Sequence, residues 1–334
     1  MDYDRRQLLR LTGVLALAPM IPRWAWATPP DLVGRTMGTT YRIRIADDIP
    51  RSSLPRIRRS IENTLTELEQ RLSLYRPHSE LSRLNRRTEK TPLPVNSDTM
   101  ALLRSALHIK ATSGGAFSPF TASLGEQWGF GPQGRAGLRP PVDIRSVNPD
   151  PSLELSGDTI RMLSPGVGLD LNGIAKGDAV DRVMDRLARH GIHNCLVEIG
   201  GEIACSGMLE GNAWRVGIQG PEGDLVSHIT LDGASVATSG DHVHFYMLNG
   251  RRYSHLMDPS TGRPVDHDLA LVSVVAANTR IADAWSTALM VLGPEAGYAM
   301  ATQLQLAALF IQRKPGGWAI SRTPTYHLLE ERQT

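Results

Sequence analysis

Asn249-Gly250 separates two runs, 242–248 and 251–256, and this dipeptide between strand-like segments is the strongest two-residue signal for a tight antiparallel hairpin. Both central residues of such a turn adopt positive φ, which Gly allows freely and Asn tolerates. The chain must double back here, and related patterns recur along it. Residues 196–199 and 202–206 flank Gly200-Gly201, and Trp214, Val216 and Ile218 alternate as a strand. In 39–46, Tyr41, Ile43 and Ile45 share one face, while Thr40, Arg42 and Arg44 share the other. Short strands are also expected at 159–163 and 168–171, and a buried one at 271–277.

Helical periodicity fills the intervals. Ile57, Ile61, Leu65, Leu68 and Leu72 repeat at helical spacing over 52–71. Further helices are expected over 97–112, stopping at Gly114-Gly115, and over 174–189, closed by Gly191. Asn278 is placed to cap a helix that ends at Gly293-Pro294. Residues 129–151, rich in Gly, Pro and Arg, read as a surface excursion. Strands and helices together indicate an α/β or α+β protein, and 334 residues are enough for one large domain or two.

Residues 1–27 stand apart as an export signal. Arg5-Arg6 precedes a short, moderately apolar stretch, and Ala25-Trp26-Ala27 supplies a small-x-small cleavage pattern. Paired arginines point to the twin-arginine route, and hence to a soluble periplasmic product after cleavage. An ordinary secretory signal or an uncleaved anchor is the alternative. The rest of the chain, 28–334, is expected to be the functional domain. No apolar run reaches the roughly 18 residues of a membrane span. The leader holds four arginines and two aspartates, so of 36 basic and 34 acidic side chains the remainder keeps 32 of each. A neutral chain has no overall field to attract nucleic acid. Cys195 and Cys205 read as buried small apolar side chains, although the strand-turn-strand pattern between them would permit a bridge.

Three local patterns carry chemistry. From Asp170 to Gly177 a strand end leads through a Gly-containing turn into a helix, with Lys176 in its first turn. Free N–H groups, the positive helix end and an ammonium suit phosphates, but most such junctions bind nothing, and the GxxxxGK[ST] pattern is absent. Asp283 and Thr287, four apart, put a carboxylate and a hydroxyl on one helix face, as hard ligands for Mg²⁺. The plain alternative is Thr287 bonding back to the Asp283 carbonyl. His255 ends a strand beside a Pro/Gly turn, a suitable place for a general base. His242 and His244 alternate on the paired strand and could instead form a transition-metal pair. Upstream, Thr238-Ser239-Gly240 reads as a turn offering hydroxyls and amides.

Taken in order, DLNGIAKG, VEIGGEIACSG, ATSGD, YSHLMDPSTGRP and ADAWSTALMVLG resemble the ApbE family of FAD:protein FMN transferases. The likeness extends to Met37-Gly38-Thr39-Thr40-Tyr41, to the 74–82 segment and to Gly115-Ala116-Phe117. It implies an α+β fold of mixed, largely antiparallel sheets flanked by helices, with two lobes around a nucleotide cleft. It also implies FAD as substrate, Mg²⁺ as cofactor, and transfer of FMN to a Ser or Thr hydroxyl of an acceptor protein with release of AMP. Met37 and Tyr75 match flavin contacts; Ala116, Phe117 and Ser118 match the cleft lining; Asp170 and Lys176 match polar contacts to FAD. The Gly173 carbonyl, Asp283 and Thr287 match the magnesium site. Thr238 and His255 match segments flanking the pyrophosphate, with His255 as base.

Two positions depart from the family pattern. Ser118 stands where many relatives have aspartate, and Asn172 replaces a frequent glycine, at a point where left-handed geometry is tolerable for Asn. Family habit points to an acceptor in a membrane redox complex, or a regulator, with its flavinylation site outside the cytoplasm. FAD hydrolysis by an exported pyrophosphatase would use the same residues, and a passive flavin carrier would have no use for the metal or His255. Asp232 to Thr238 faintly resembles the acceptor consensus, which would place self-modification at Ser235, although a site-lining strand is the plainer reading.

Overall fold

The computed structural model describes residues 31–87, 91–134, 153–164 and 167–331; the expected export signal lies outside them, as does most of the 129–151 excursion. The frame is an antiparallel sheet of eight strands in chain order: β1 (Asp31–Thr36), β2 (Thr39–Ile45), β3 (Cys195–Ile199), β4 (Glu202–Ser206), β5 (Ser235–Gly240), β6 (Leu269–Ala276), β7 (Ala307–Lys314) and β8 (Gly317–Arg322). Long connections carry helices α1 (Leu54–Leu72), α2 (Ser97–Thr112), α3 (Asn172–Arg189) and α4 (Thr279–Leu292), and α5 (Pro324–Glu331) follows β8. Among the described residues no helix is long and apolar enough to cross a membrane.

Both faces of the sheet are covered, which explains why β6 reads LALVSVVA with almost no polar alternation. Val272 and Val274 point to the core under the helices, which includes Ile43, Ile61, Val183 and Leu289. Leu271 and Val275 point to the opposite core, closed by the paired strands Trp214–Gln219 and Leu225–Leu231 and by Tyr326 of α5. The same alternation decides the cysteines. Cys195 pairs with Ser206 and Cys205 with Leu196, one register step apart, so the two thiols lie on opposite faces in different cores. Both are free.

The expected hairpin forms over Phe245–Leu248 and Arg251–Ser254, with φ of 51° at Asn249 and 75° at Gly250. It is shorter than the sequence suggested: His242 and His244 precede the strand and share no strand face with each other. Residues 168–171 form no strand. Their backbone groups pair elsewhere, with Leu169 and the Asn85 side chain exchanging two bonds of 2.8 Å and Asp170 N–H donating to Pro119 C=O at 2.7 Å. Ser235–Gly240, which includes the expected Thr-Ser-Gly turn, is a strand bonded to β6 along its whole length.

Candidate active site

Helices α3 and α4 cross closely, and Gly177 permits it. A Cβ there would lie 2.4 Å from Thr279 C=O and 2.7 Å from Arg280 Cα, inside any real contact. Asp181 of α3 accepts from Thr279 N–H (2.8 Å) and Arg280 N–H (3.0 Å), and Asn278 accepts from Ile281 N–H (3.0 Å), so the start of α4 is capped from both helices. This junction brings the Asp283 carboxylate beside the first turns of α3, where Gly177 N–H donates to Oδ2 at 2.9 Å. That N–H is also the helical partner of the Gly173 carbonyl, so carboxylate and carbonyl compete for it. Asn172 and Gly173 are already helical, and neither has positive φ. The expected glycine turn is therefore a helix start, and the asparagine departure costs no left-handed geometry.

Thr287 sits against Gly173, where a Cβ would approach Thr287 Oγ1 to 3.1 Å and Phe117 Cε2 to 3.3 Å. Thr287 does not bond back within its helix. Its hydroxyl pairs with Ser239 Oγ of β5 at 3.2 Å, while Ser286 takes the Asp283 carbonyl at 2.9 Å. Asp283 and Thr287 thus both lie against the start of α3, and their side-chain oxygens with the Gly173 carbonyl would make an all-oxygen set, the chemistry Mg²⁺ prefers. Burial raises the Asp283 carboxyl pKa against the pull of Lys176. Lys176 is ion-paired to Glu202, which is fully buried, with Oε2 lacking a partner. Burial raises Glu202 as well; for Lys176, burial works downward but Glu202 and Asp283 outweigh it and keep the ammonium charged. Two buried carboxylates around one ammonium make a locus that a divalent cation would relieve, so the residues fit the expected metal. Among the described residues no three His, Cys, Asp or Glu gather for a metal, so no third such ligand joins His242 and His244.

His255 follows the hairpin, and both its N–H and ring Nδ1 lie 3.0 Å from the His244 carbonyl. A carbonyl only accepts, so Nδ1 carries the hydrogen and Nε2 keeps its lone pair. Burial pulls the pKa down to about 4, so the ring is neutral at physiological pH. Aromatic rings surround it: Trp128 stacks on Tyr253 (5.7 Å), Tyr253 on Tyr246 (5.2 Å) and Tyr246 on Phe130 (5.3 Å), with Phe130 edge-on to His255 at 6.4 Å. Tyr75, 63 % exposed, donates its hydroxyl to Phe130 C=O at 3.0 Å, and it lies close enough to Asp170 for that carboxylate to help raise its pKa after burial does. Asp170 itself is raised by burial, with the Asn172 N–H (2.8 Å) opposing.

A sequence model of the ApbE family matches residues 37–310. The chain belongs to the ApbE family. The FAD:protein FMN transferase of Vibrio cholerae is 36 % identical over 295 residues, covering 86 % of this chain and 88 % of that protein. That of Haemophilus influenzae is 32 % identical over 342 residues, covering 96 % and 98 %. The apo crystal structure of the flavinyl transferase ApbE from Pseudomonas stutzeri superposes with a TM-score of 0.82 at 36 % identity, over 90 % of this chain and 96 % of that one.

Within this ApbE-family chain, Gly173, Lys176, Asp283, Thr287 and Phe117 come together, and Tyr75 approaches Asp170. Phe117 is 2 % exposed and is fixed by its N–H donating to Ser113 Oγ, and Ala116 N–H donates to Ser113 C=O. Ser118 Oγ accepts from Phe120 N–H. Met37 sits in the β1–β2 turn with φ of 49°. Thr238 does not join the cluster: its hydroxyl pairs with Ser273 (2.7 Å) on the face away from α4. Ser239, the next residue and so on the other face, reaches Ser286 and Thr287. Sequence reasoning missed Glu202 and put Ser239 in a turn with Thr238, for strand alternation separates the two only once β5 is known to be a strand. Ser235 is 4 % exposed and paired on both sides within the sheet.

Proposed function

We propose that this protein is an FAD:protein FMN transferase. The observation that carries the reading is the packing of Asp283 and Thr287 against Gly173 and Gly177 beside Lys176, whose charge is felt by a neutral His255. Magnesium bound at Asp283, Thr287 and the Gly173 carbonyl would offset negative charge on the FAD pyrophosphate. Lys176 adds a fixed positive charge, and the start of α3 adds its dipole. His255 Nε2 accepts the proton of an acceptor Ser or Thr hydroxyl. The oxygen then bonds to the FMN-side phosphorus, the bond to the bridging oxygen breaks, and AMP leaves with that oxygen.

The acceptor belongs to a membrane redox complex or regulator with an extracytoplasmic flavinylation site, and this enzyme meets it in the periplasm after twin-arginine export. The arginine pair and Ala25-Trp26-Ala27 support export. The test is Asp283→Ala in labelling of an acceptor protein with FAD and Mg²⁺, followed by intact mass. Loss of the FMN mass gain by about 100-fold or more is expected. Labelling at the native rate refutes the metal assignment, and free FMN without labelled protein in the native enzyme refutes transfer.

A further inference from the structure

We infer that Glu69 is a positioning residue for the flavin end of FAD, holding the Met37 turn and the Tyr75 segment in one arrangement. The inference rests on the flavin contacts that the family resemblance implies for Met37 and Tyr75. Glu69 lies on the last turns of α1, and its side chain is 18 % exposed. Oε1 accepts from Met37 N–H at 2.8 Å and from Thr36 Oγ1 at 3.0 Å, while Oε2 is ion-paired with Arg76, the residue after Tyr75. One carboxylate therefore ties together two cleft segments that share no secondary structure.

Each segment needs such a tie. Met37 holds a left-handed backbone (φ 49°), which a residue other than Gly keeps only where its surroundings over-determine it. Residues 73–79 form no regular element, and hydroxyls hold them instead. Tyr75 N–H donates to Ser73 Oγ (3.2 Å), Ser79 Oγ donates to Ser73 C=O (2.5 Å), and Ser82 Oγ donates to Ser73 C=O (3.0 Å). That network anchors the segment on one side, and the Glu69–Arg76 pair anchors it on the other. Burial works to raise the Glu69 carboxyl, but the bonds from Met37, Arg76 and Thr36 outweigh it and hold the group ionised. Met37 and Tyr75 are thereby set before the flavin arrives, so ordering them is not charged against binding.

The test compares the two halves of the dinucleotide. FMN and FAD affinities are read by flavin fluorescence and ADP affinity by calorimetry, in the full-length exported protein with Mg²⁺. Glu69→Ala is expected to weaken FMN and FAD by about tenfold, the effect of one charge-assisted anchor, and to leave ADP within about twofold. Glu69→Gln, which keeps an acceptor for Met37 N–H but cannot pair with Arg76, should fall between, and it serves if the alanine variant does not fold. Unchanged FMN affinity, or an equal loss for ADP, overturns the proposal, since a merely structural role would not separate the halves. Tyr75→Ala is the independent control. If it leaves FMN affinity unchanged, the flavin placement is wrong whatever the Glu69 variants do, and the proposal falls with it.

Discussion

Replacing Gly177 by Ala sets two rules in opposition. Helix propensity alone favours the change, since Ala in a helix interior is about 1 kcal/mol better than Gly. The crossing with α4 opposes it: the new Cβ would stand 2.4 Å from Thr279 C=O, where ordinary contact begins at 3.4 Å, so the helices must part by about 1 Å. The atoms it would meet, Thr279 O and C and Arg280 Cα, are backbone and cannot swing aside as a side chain can. Overpacking of this kind costs about 1–3 kcal/mol, and separating the helices also stretches the Gly177 N–H bond to Asp283, a buried charge-assisted bond worth about 1.5–3 kcal/mol. The opposing costs exceed the propensity gain, leaving Gly177→Ala about 2 kcal/mol less stable in chemical denaturation. The same shift moves Asp283 relative to Gly173 and Thr287, so the Mg²⁺ concentration for half-maximal labelling should rise about tenfold or more. A variant more stable than the parent, with unchanged Mg²⁺ dependence, would refute the claim that this crossing sets the site.

Three further outcomes concern buried side chains. His255→Asn should slow transfer by about 10²–10⁴ while FAD still binds, and retained turnover would remove the base assignment. The folded pKa of His255 lies below that of the unfolded chain, so as pH falls from about 6.5 to about 4 the unfolded state takes up the proton first and stability is lost. Denaturation midpoints should therefore decline more across that window for the parent than for His255→Asn, and parallel curves would contradict the shift. Burial also pushes the Cys195 thiol up to about 12 and raises that of Cys205. Neither should react with a thiol reagent until the protein unfolds, at which point two free thiols should appear; none appearing would indicate a bridge.

The sequence by itself determined what is local. The Asn249-Gly250 turn, the Ile57-to-Leu72 face of α1, the Asn278 cap and the alternation of β2 all rest on interactions within a few residues, and they stand as expected. The ordered motifs identified the family and nominated Asp283, Thr287, Gly173 and His255 as its site residues. Periodicity could not say which partners long-range pairing would supply. Only the tertiary structure sent the backbone of 168–171 to Asn85 and Pro119, turned β5 so that Ser239 faces Thr287 while Thr238 faces Ser273, and put Cys195 and Cys205 on opposite faces. The Gly177 crossing and the buried Glu202 beside Lys176 were likewise invisible, because a glycine in a helix and a glutamate in a strand look ordinary until the neighbouring element arrives. Side-chain facing has a period of two along a strand, so one step of register decides which core a residue joins, and that register is fixed by packing across the whole sheet.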